Sequence, residues 1–218
     1  MTNRSVNHKN DMSPRTKKQF EEIRQKSIES IKNAGMELFA HNGYHSTSIS
    51  EIAKEAGVSK GLLYNYFDSK EALLHDIIME AVEMGEQAMG QILTAETDAA
   101  GQLRAMTEVT FGMVQKDLHY WKLMTALAFQ TDVMTGFMPE LKKKQEEAVA
   151  AISGIFRRLG AEEPEKEALY YGAVLDGIML HYMQMEENYP IEEMKAFVLK
   201  RFLPAPPGPK SIGAFEPK

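Results

Sequence analysis

The sequence predicts an all-α protein with two parts: an N-terminal three-helix domain and a larger helical domain behind it. Three observations carry that prediction. Apolar residues recur every three or four positions along the chain, the spacing of one helical face. No stretch alternates apolar and polar residues as a half-buried strand would. Glycine and proline fall at the ends of the periodic segments, where helices stop and start.

Residues 1–18 are polar and include Ser13-Pro14, so the sequence predicts a flexible basic arm. Ile28, Ile31, Leu38 and Phe39 then mark a helix from Gln19 to Asn42, and Gly43 stops it. Ser48 and Glu51 form a capping box for a short helix whose inner face is Ile52, Ala53 and Ala56. Gly57-Val58-Ser59 leaves room only for a tight turn, and Ser59 caps a second short helix, Lys60 to Phe67. A long helix runs from about Asp68-Ser69-Lys70-Glu71 to Leu93. Leu103, Met106, Val109 and Met113 mark the next, to about Asp117, and an apolar one spans Tyr120 to about Thr131. Pro139, Pro164 and Pro190 each sit where a first helical turn tolerates proline. They open helices to about Leu159, Glu187 and Phe202. Residues 204–218 hold five of the nine Pro and are read as a non-helical tail. The domains are therefore expected at 19–74 and 75–203.

The chain has 218 residues and no cysteine, which excludes disulfide scaffolds, thiolate catalysis and cysteine–zinc sites. No apolar run approaches the roughly 20 residues of a membrane span. The N-terminus lacks the apolar core of a secretory signal, so a cytoplasmic location and no membrane partner are expected. The net charge of −6 hides an asymmetry: residues 1–74 hold 11 Lys+Arg against 9 Asp+Glu, and residues 75–218 hold 14 against 22. A mildly basic end on an acidic remainder suits local nucleic-acid contact by that end.

The two short helices and their glycine turn, Thr47–Phe67, have the layout of a helix-turn-helix. The second helix must stand clear so that its side chains enter a major groove, with the first bracing it. Leu63 and Phe67 lie one turn apart and face inward. Lys60, Gly61, Leu62, Tyr64, Asn65 and Tyr66 lie on or near the free side. Lys60 offers charge to phosphate or guanine, and Asn65 can read an adenine edge. The two tyrosines offer hydroxyls to phosphate, and Gly61 allows close approach.

Over about residues 24–80 the chain resembles the DNA-binding region of the TetR family of bacterial regulators. The matching residues are Leu38-Phe39, Gly43-Tyr44, Thr47, Ile52-Ala53, Ala56-Gly57-Val58-Ser59, Gly61, Tyr64, Tyr66-Phe67, Lys70-Glu71 and Leu73. Ile49 departs from the pattern, since many members carry a polar residue there. The resemblance implies phosphate contacts from Thr47 and Ser48. It places Ser59, Lys60, Gly61, Leu62, Tyr64 and Asn65 in the major groove, with Tyr66 and Lys70 clamping phosphates at its edge. It also implies a divergent helical C-terminal domain that binds a small effector and dimerises through its last two long helices. Arg4, Lys9, Arg15, Lys17 and Lys18 of the arm form either a solvated tail or a minor-groove contact.

Twelve of the 15 Met lie in residues 75–218, and such side chains fill irregular apolar space. With the aromatics they nominate Met89, Phe111, Trp121, Met124, Phe129, Met138 and His181 for a hydrophobic or aromatic ligand. Gly172, Ala173, Asp176 and Gly177 put small residues on one stripe and nominate a dimer contact. His41 and His45 straddle a helix end, so no metal site is expected there, and no cofactor motif is present. The expected activity is a ligand-responsive repressor of operator DNA, acting as a homodimer and not as an enzyme. The alternatives are an all-α small-molecule-binding protein or enzyme, and an architectural DNA-binding protein without an effector.

Overall fold

The computed structural model describes residues 16–95, 97–130 and 134–203. They form nine α-helices and one 3-10 turn, with no strand among the described residues. The chain divides into two units, 1–73 and 74–218. Arg4, Lys9 and Arg15 of the expected arm, and the expected Pro-rich tail 204–218, lie outside the described residues.

In the first unit α1 spans Lys17–Asn42. Lys17 and Lys18, expected in the arm, are instead its first residues. The cause is a capping box: Thr16 Oγ1 accepts the Gln19 N–H, and Gln19 Oε1 accepts the Thr16 N–H at 2.8 Å. The first turns of α1 are exposed, and its second half buries Ile31, Ala34, Met36 and Phe39. Gly43 ends it at φ +84°, a conformation that favours glycine. Helices α2 (Ile49–Glu55) and α3 (Lys60–Tyr66) follow, joined by a turn in which Gly57 takes φ +67°. Ser30 Oγ donates to the Ala56 carbonyl at 3.0 Å and ties α1 to that turn. Ile31, Phe39, Ile52, Leu63 and Leu73 have no exposed surface and form the core of this unit. Each such side chain contributes roughly 1.5–3 kcal/mol through burial. Ile49 joins that core, so its departure from the family pattern is a packing choice.

The helix α4 (Lys70–Thr94) begins in the first unit and continues into the second. The second unit adds α5 (Ala99–Lys116), α6 (Leu118–Ala128), α7 (Met138–Arg158), α8 (Pro164–Met185) and α9 (Ile191–Phe202). Helix α6 starts before the expected Tyr120 because the Asp117 carboxylate accepts the Tyr120 N–H at 3.0 Å and caps it. Helix α8 stops at Met185 because Glu186 takes φ +51°, and Glu186–Asn188 form the 3-10 turn. α7 packs on α8, α5 on α7 and α9, and α6 on α5 and α8. Leu103, Phe111, Ile155, Tyr171, Val198 and Phe202 make the centre. Within it the Tyr171 and Thr107 hydroxyls share a 2.9 Å hydrogen bond. Burial pushes the Tyr171 hydroxyl up to about 12, so it stays protonated and able to donate.

Candidate nucleic-acid interface and effector cavity

Helix α3 starts where the Ser59 hydroxyl accepts the Leu62 N–H at 3.1 Å. Leu63 and Phe67 turn inward and are buried, which leaves the opposite face to solvent. Ser59, Lys60, Gly61, Tyr64 and Asn65 are exposed, and Leu62 and Tyr66 are half-buried. Lys60 Nζ lies 5.9 Å from the centre of the Tyr64 ring, and the Arg24 guanidinium lies 5.8 Å from that of Tyr66. At Gly61 a Cβ would meet only Ser59 Oγ at 4.0 Å, so nothing inside the domain requires glycine. What the missing side chain does is keep the outer face low between Lys60 and Asn65. The structure thus brings together a cation, an amide, two phenols and a bare stretch of backbone on one short helix. Arg24, which the sequence reading left aside, is added to this face by its stacking on Tyr66.

Thr47 is a correction. Its side chain is buried, and Oγ1 donates to the Gly43 and Leu38 carbonyls at 2.9 and 3.1 Å. The hydroxyl holds the end of α1 to the start of α2 and is not presented for phosphate. Ser48 is exposed, but its hydroxyl accepts the Glu51 N–H and its own N–H donates to Glu51 Oε2 at 2.7 Å. Hydrogen bonding to the carboxylate from the Ser48 side chain and from the Ser48 N–H holds the Glu51 carboxyl below its usual range. Lys70 is a second correction. Its ammonium donates to the Tyr44 and Thr47 carbonyls at 2.7 and 2.8 Å and sits 4.3 Å from the Tyr44 ring centre. It fastens the start of α4 to the loop before α2, so its charge is already engaged.

The second unit holds a cavity of about 670 Å³, half open to solvent, between α4, α5, α7 and α8. Met89 and Ile92, Met106 and Met113, Ile152, and Leu175 supply one or two apolar side chains from each helix. Small residues make the room: Gly85 and Ala88 on α4, Ala148 and Ala151 on α7, Gly172 on α8. A volume of this size fits a small organic molecule. Its charged lining groups are Glu86, Glu147, Asp176 and Lys144, all but Lys144 exposed. Lys144 Nζ donates to Glu86 Oε1 at 2.7 Å and is held protonated chiefly by that bond.

Of the seven side chains nominated for ligand binding, only Met89 lines this cavity. Phe111 is fully buried in the core, on the side of α5 opposite Met106 and Met113. Trp121 is half-buried and donates its indole N–H to the Met113 carbonyl at 3.1 Å. Met124 is half-buried outside the lining, Phe129 and Met138 are exposed, and His181 is exposed beside Tyr189. The dimer nominees also divide: Gly172 and Asp176 line the cavity, whereas Ala173 and Gly177 do not. The missed signal was small residues one turn apart on facing helices. His41 pairs with Glu37 at 3.2 Å and His45 meets the Tyr44 ring edge-on, so the two histidines have separate partners.

Comparison with known proteins agrees with this layout. Residues 31–77 match the family model described as bacterial regulatory proteins, tetR family. The HTH-type transcriptional activator FasR of Mycolicibacterium smegmatis is 34% identical over 102 residues, covering 47% of this chain and 45% of FasR. The fatty acid metabolism regulator protein of Bacillus subtilis is 32% identical over 97 residues, covering 44% and 50% of the two chains. The chain thus matches about half the length, or less, of these curated relatives. A TetR-family transcriptional regulator of Agrobacterium tumefaciens shares the fold, with a TM-score of 0.67 at 18% identity over 83% of this chain and 100% of that one. Residues 31–77, with the helix-turn-helix they contain, are thus a DNA-binding segment of the tetR family of bacterial regulatory proteins.

Proposed function

We propose that this protein is a ligand-responsive transcriptional regulator that represses from operator DNA as a homodimer. The observation that carries the reading is the outer face of α3, where Lys60, Gly61, Tyr64 and Asn65 stand exposed over a buried Leu63. Two such helices, about one DNA turn or 34–36 Å apart, suit a near-palindromic operator. The second copy has a surface to cover: Leu169, Ala173, Gly177 and Leu180 follow one stripe of α8, with Leu169 55% and Phe197 of α9 60% exposed. The cavity supports an apolar effector, and α4 supports coupling, since its first turn belongs to the reading unit and its later turns line the cavity. An effector that prefers one of two conformers shifts DNA affinity by that preference.

The experiment is selection of bound sequences from a random DNA pool with the full chain, followed by transcription from a promoter carrying the selected site. Recovery of an inverted repeat and reduced transcription are expected. Recovery of no motif would overturn the regulator reading, and raised transcription would make the protein an activator.

A further inference from the structure

We propose that the first turns of α1 make a second contact with DNA, in which Arg24, and Lys17 two turns before it, hold backbone phosphates flanking the bases that α3 meets. The inference rests on the reading of α3 as the DNA-reading helix. It extends the interface onto residues outside the segment 31–77 that matches the family. Residues 17–26 are helical and exposed throughout, so about 15 Å of α1 runs out beyond the core of its unit. Helical spacing fixes which way this length faces. Ile31 and Ala34, buried in the core, are continued toward the start of the helix, in steps of three and four, by Ser27, Arg24, Phe20 and Lys17. The buried face of α1 is thus prolonged by two cations and an aromatic ring, with Phe20 58% and its neighbour Ile23 41% exposed. Glu22 and Glu29 stand on the opposite side of the helix, so this face is basic although the segment carries both signs. Its position says which polyanion covers it. The Arg24 guanidinium lies 5.8 Å from the ring centre of Tyr66, the last residue of α3, so the overhang is continuous with the outer face of the reading helix. Lys17 stands about 10 Å further along α1 and carries the basic face outward from α3. Among the described residues the anion beside Arg24 is Glu21, whose Oε1 accepts from Nη1 at 3.2 Å. An exposed pair one turn apart is weak, whereas phosphate offers a guanidinium a two-pronged partner. Arg24 can therefore exchange Glu21 for phosphate while its plane stays on Tyr66.

The test measures DNA binding by the full chain through fluorescence anisotropy, on the selected operator and on a duplex of unrelated sequence, over a range of salt. Phosphate contacts carry no sequence information, so Arg24→Ala should weaken binding to both duplexes by the same factor. That factor should be about tenfold, the scale of one charge-assisted hydrogen bond, and the salt slope should fall by roughly one counterion per reading domain. Arg24→Lys should restore the slope. Glu21→Gln removes the competing carboxylate and should tighten binding to both duplexes by about threefold. Ethylating single backbone phosphates beside a half-site should weaken binding by the unmodified chain and make no difference to Arg24→Ala. Should Arg24→Ala fail to fold by circular dichroism, Glu21→Gln and the ethylation pattern of the unmodified chain decide. An unchanged salt slope in Arg24→Ala, a loss confined to the operator, no gain in Glu21→Gln, or flanking phosphates whose ethylation has no effect would each overturn this proposal alone. No binding of the unmodified chain to either duplex would overturn the regulator reading and this proposal with it.

Discussion

Lys60 and Lys70 carry the same charge in the same small domain, yet their surroundings give them opposite tasks. Lys60 is exposed and, among the described residues, has the Tyr64 ring beside it and no ion-pair partner, which suits it to meet phosphate. Replacing it by Ala should weaken binding on every DNA sequence and lower the salt slope by roughly one counterion per reading domain. An unchanged slope in a salt titration would remove Lys60 from the phosphate contacts. Asn65 belongs to the other class of contact. Asn65→Ala should relax preference at one operator position by about 1–3 kcal/mol if the amide reads a base edge. Uniform loss across operator variants would assign it to the backbone instead. Thr47 should act through stability alone. Thr47→Val leaves two carbonyls without their shared donor and should cost about 1–2 kcal/mol in denaturant unfolding. The salt slope of the folded variant should not move. The residue types of α3 could be read from sequence because exposure there follows from helical spacing. The tasks of Thr47 and Lys70 could not, because each hydrogen-bonds to carbonyls that only the folded loop brings within reach.

At the scale of elements, caps and breakers were legible while faces were not. Ser48 with Glu51, Ser59, Gly43 and Gly57 mark their helix ends by local chemistry, and the structure uses each as its type dictates. Helix α8 shows the opposite case. Gly172, Ala173, Asp176 and Gly177 look like one small-residue stripe, but small residues lie close together around a helix of 3.6 residues per turn and divide between neighbouring faces. Gly172 and Asp176 line the cavity, while Ala173 and Gly177 share a stripe with Leu169 and Leu180. A Cβ at Gly177 meets nothing within 4 Å inside the chain. Gly177→Leu should therefore leave the protomer folded and act on the partner copy alone. Analytical ultracentrifugation should find monomer, and operator affinity should fall steeply because one half-site gives too little binding. A tight dimer with full operator affinity would place the interface elsewhere on the second unit.

At the scale of the molecule, the sequence announced two helical units and the long helix that begins in one and continues into the other. It did not announce the cavity, because empty space is a property of how far apart α4, α5, α7 and α8 stand. Aromatic and Met content pointed to Phe111 and Trp121, which fill the core instead. The small residues that keep the space open resemble any other helix surface. The continuity of α4 now makes a quantitative demand. Lys70 fastens its first turn within the reading unit, and Met89 and Ile92 line the cavity further along. A molecule in the cavity that favours one conformer of this helix must change operator affinity, and the operator must change the molecule's affinity by the same factor. A coupling of about 1–3 kcal/mol, some 5–150-fold, is the usual range. Titrating a neutral apolar probe such as 1-decanol against free and operator-bound protein should give two affinities whose ratio equals the ratio of operator affinities with and without the alcohol. Gly172→Leu should abolish that ratio and keep operator affinity near that of the unmodified chain. Equal ligand affinities in the free and operator-bound protein would show that the cavity and the reading helix do not communicate, whatever the cavity binds.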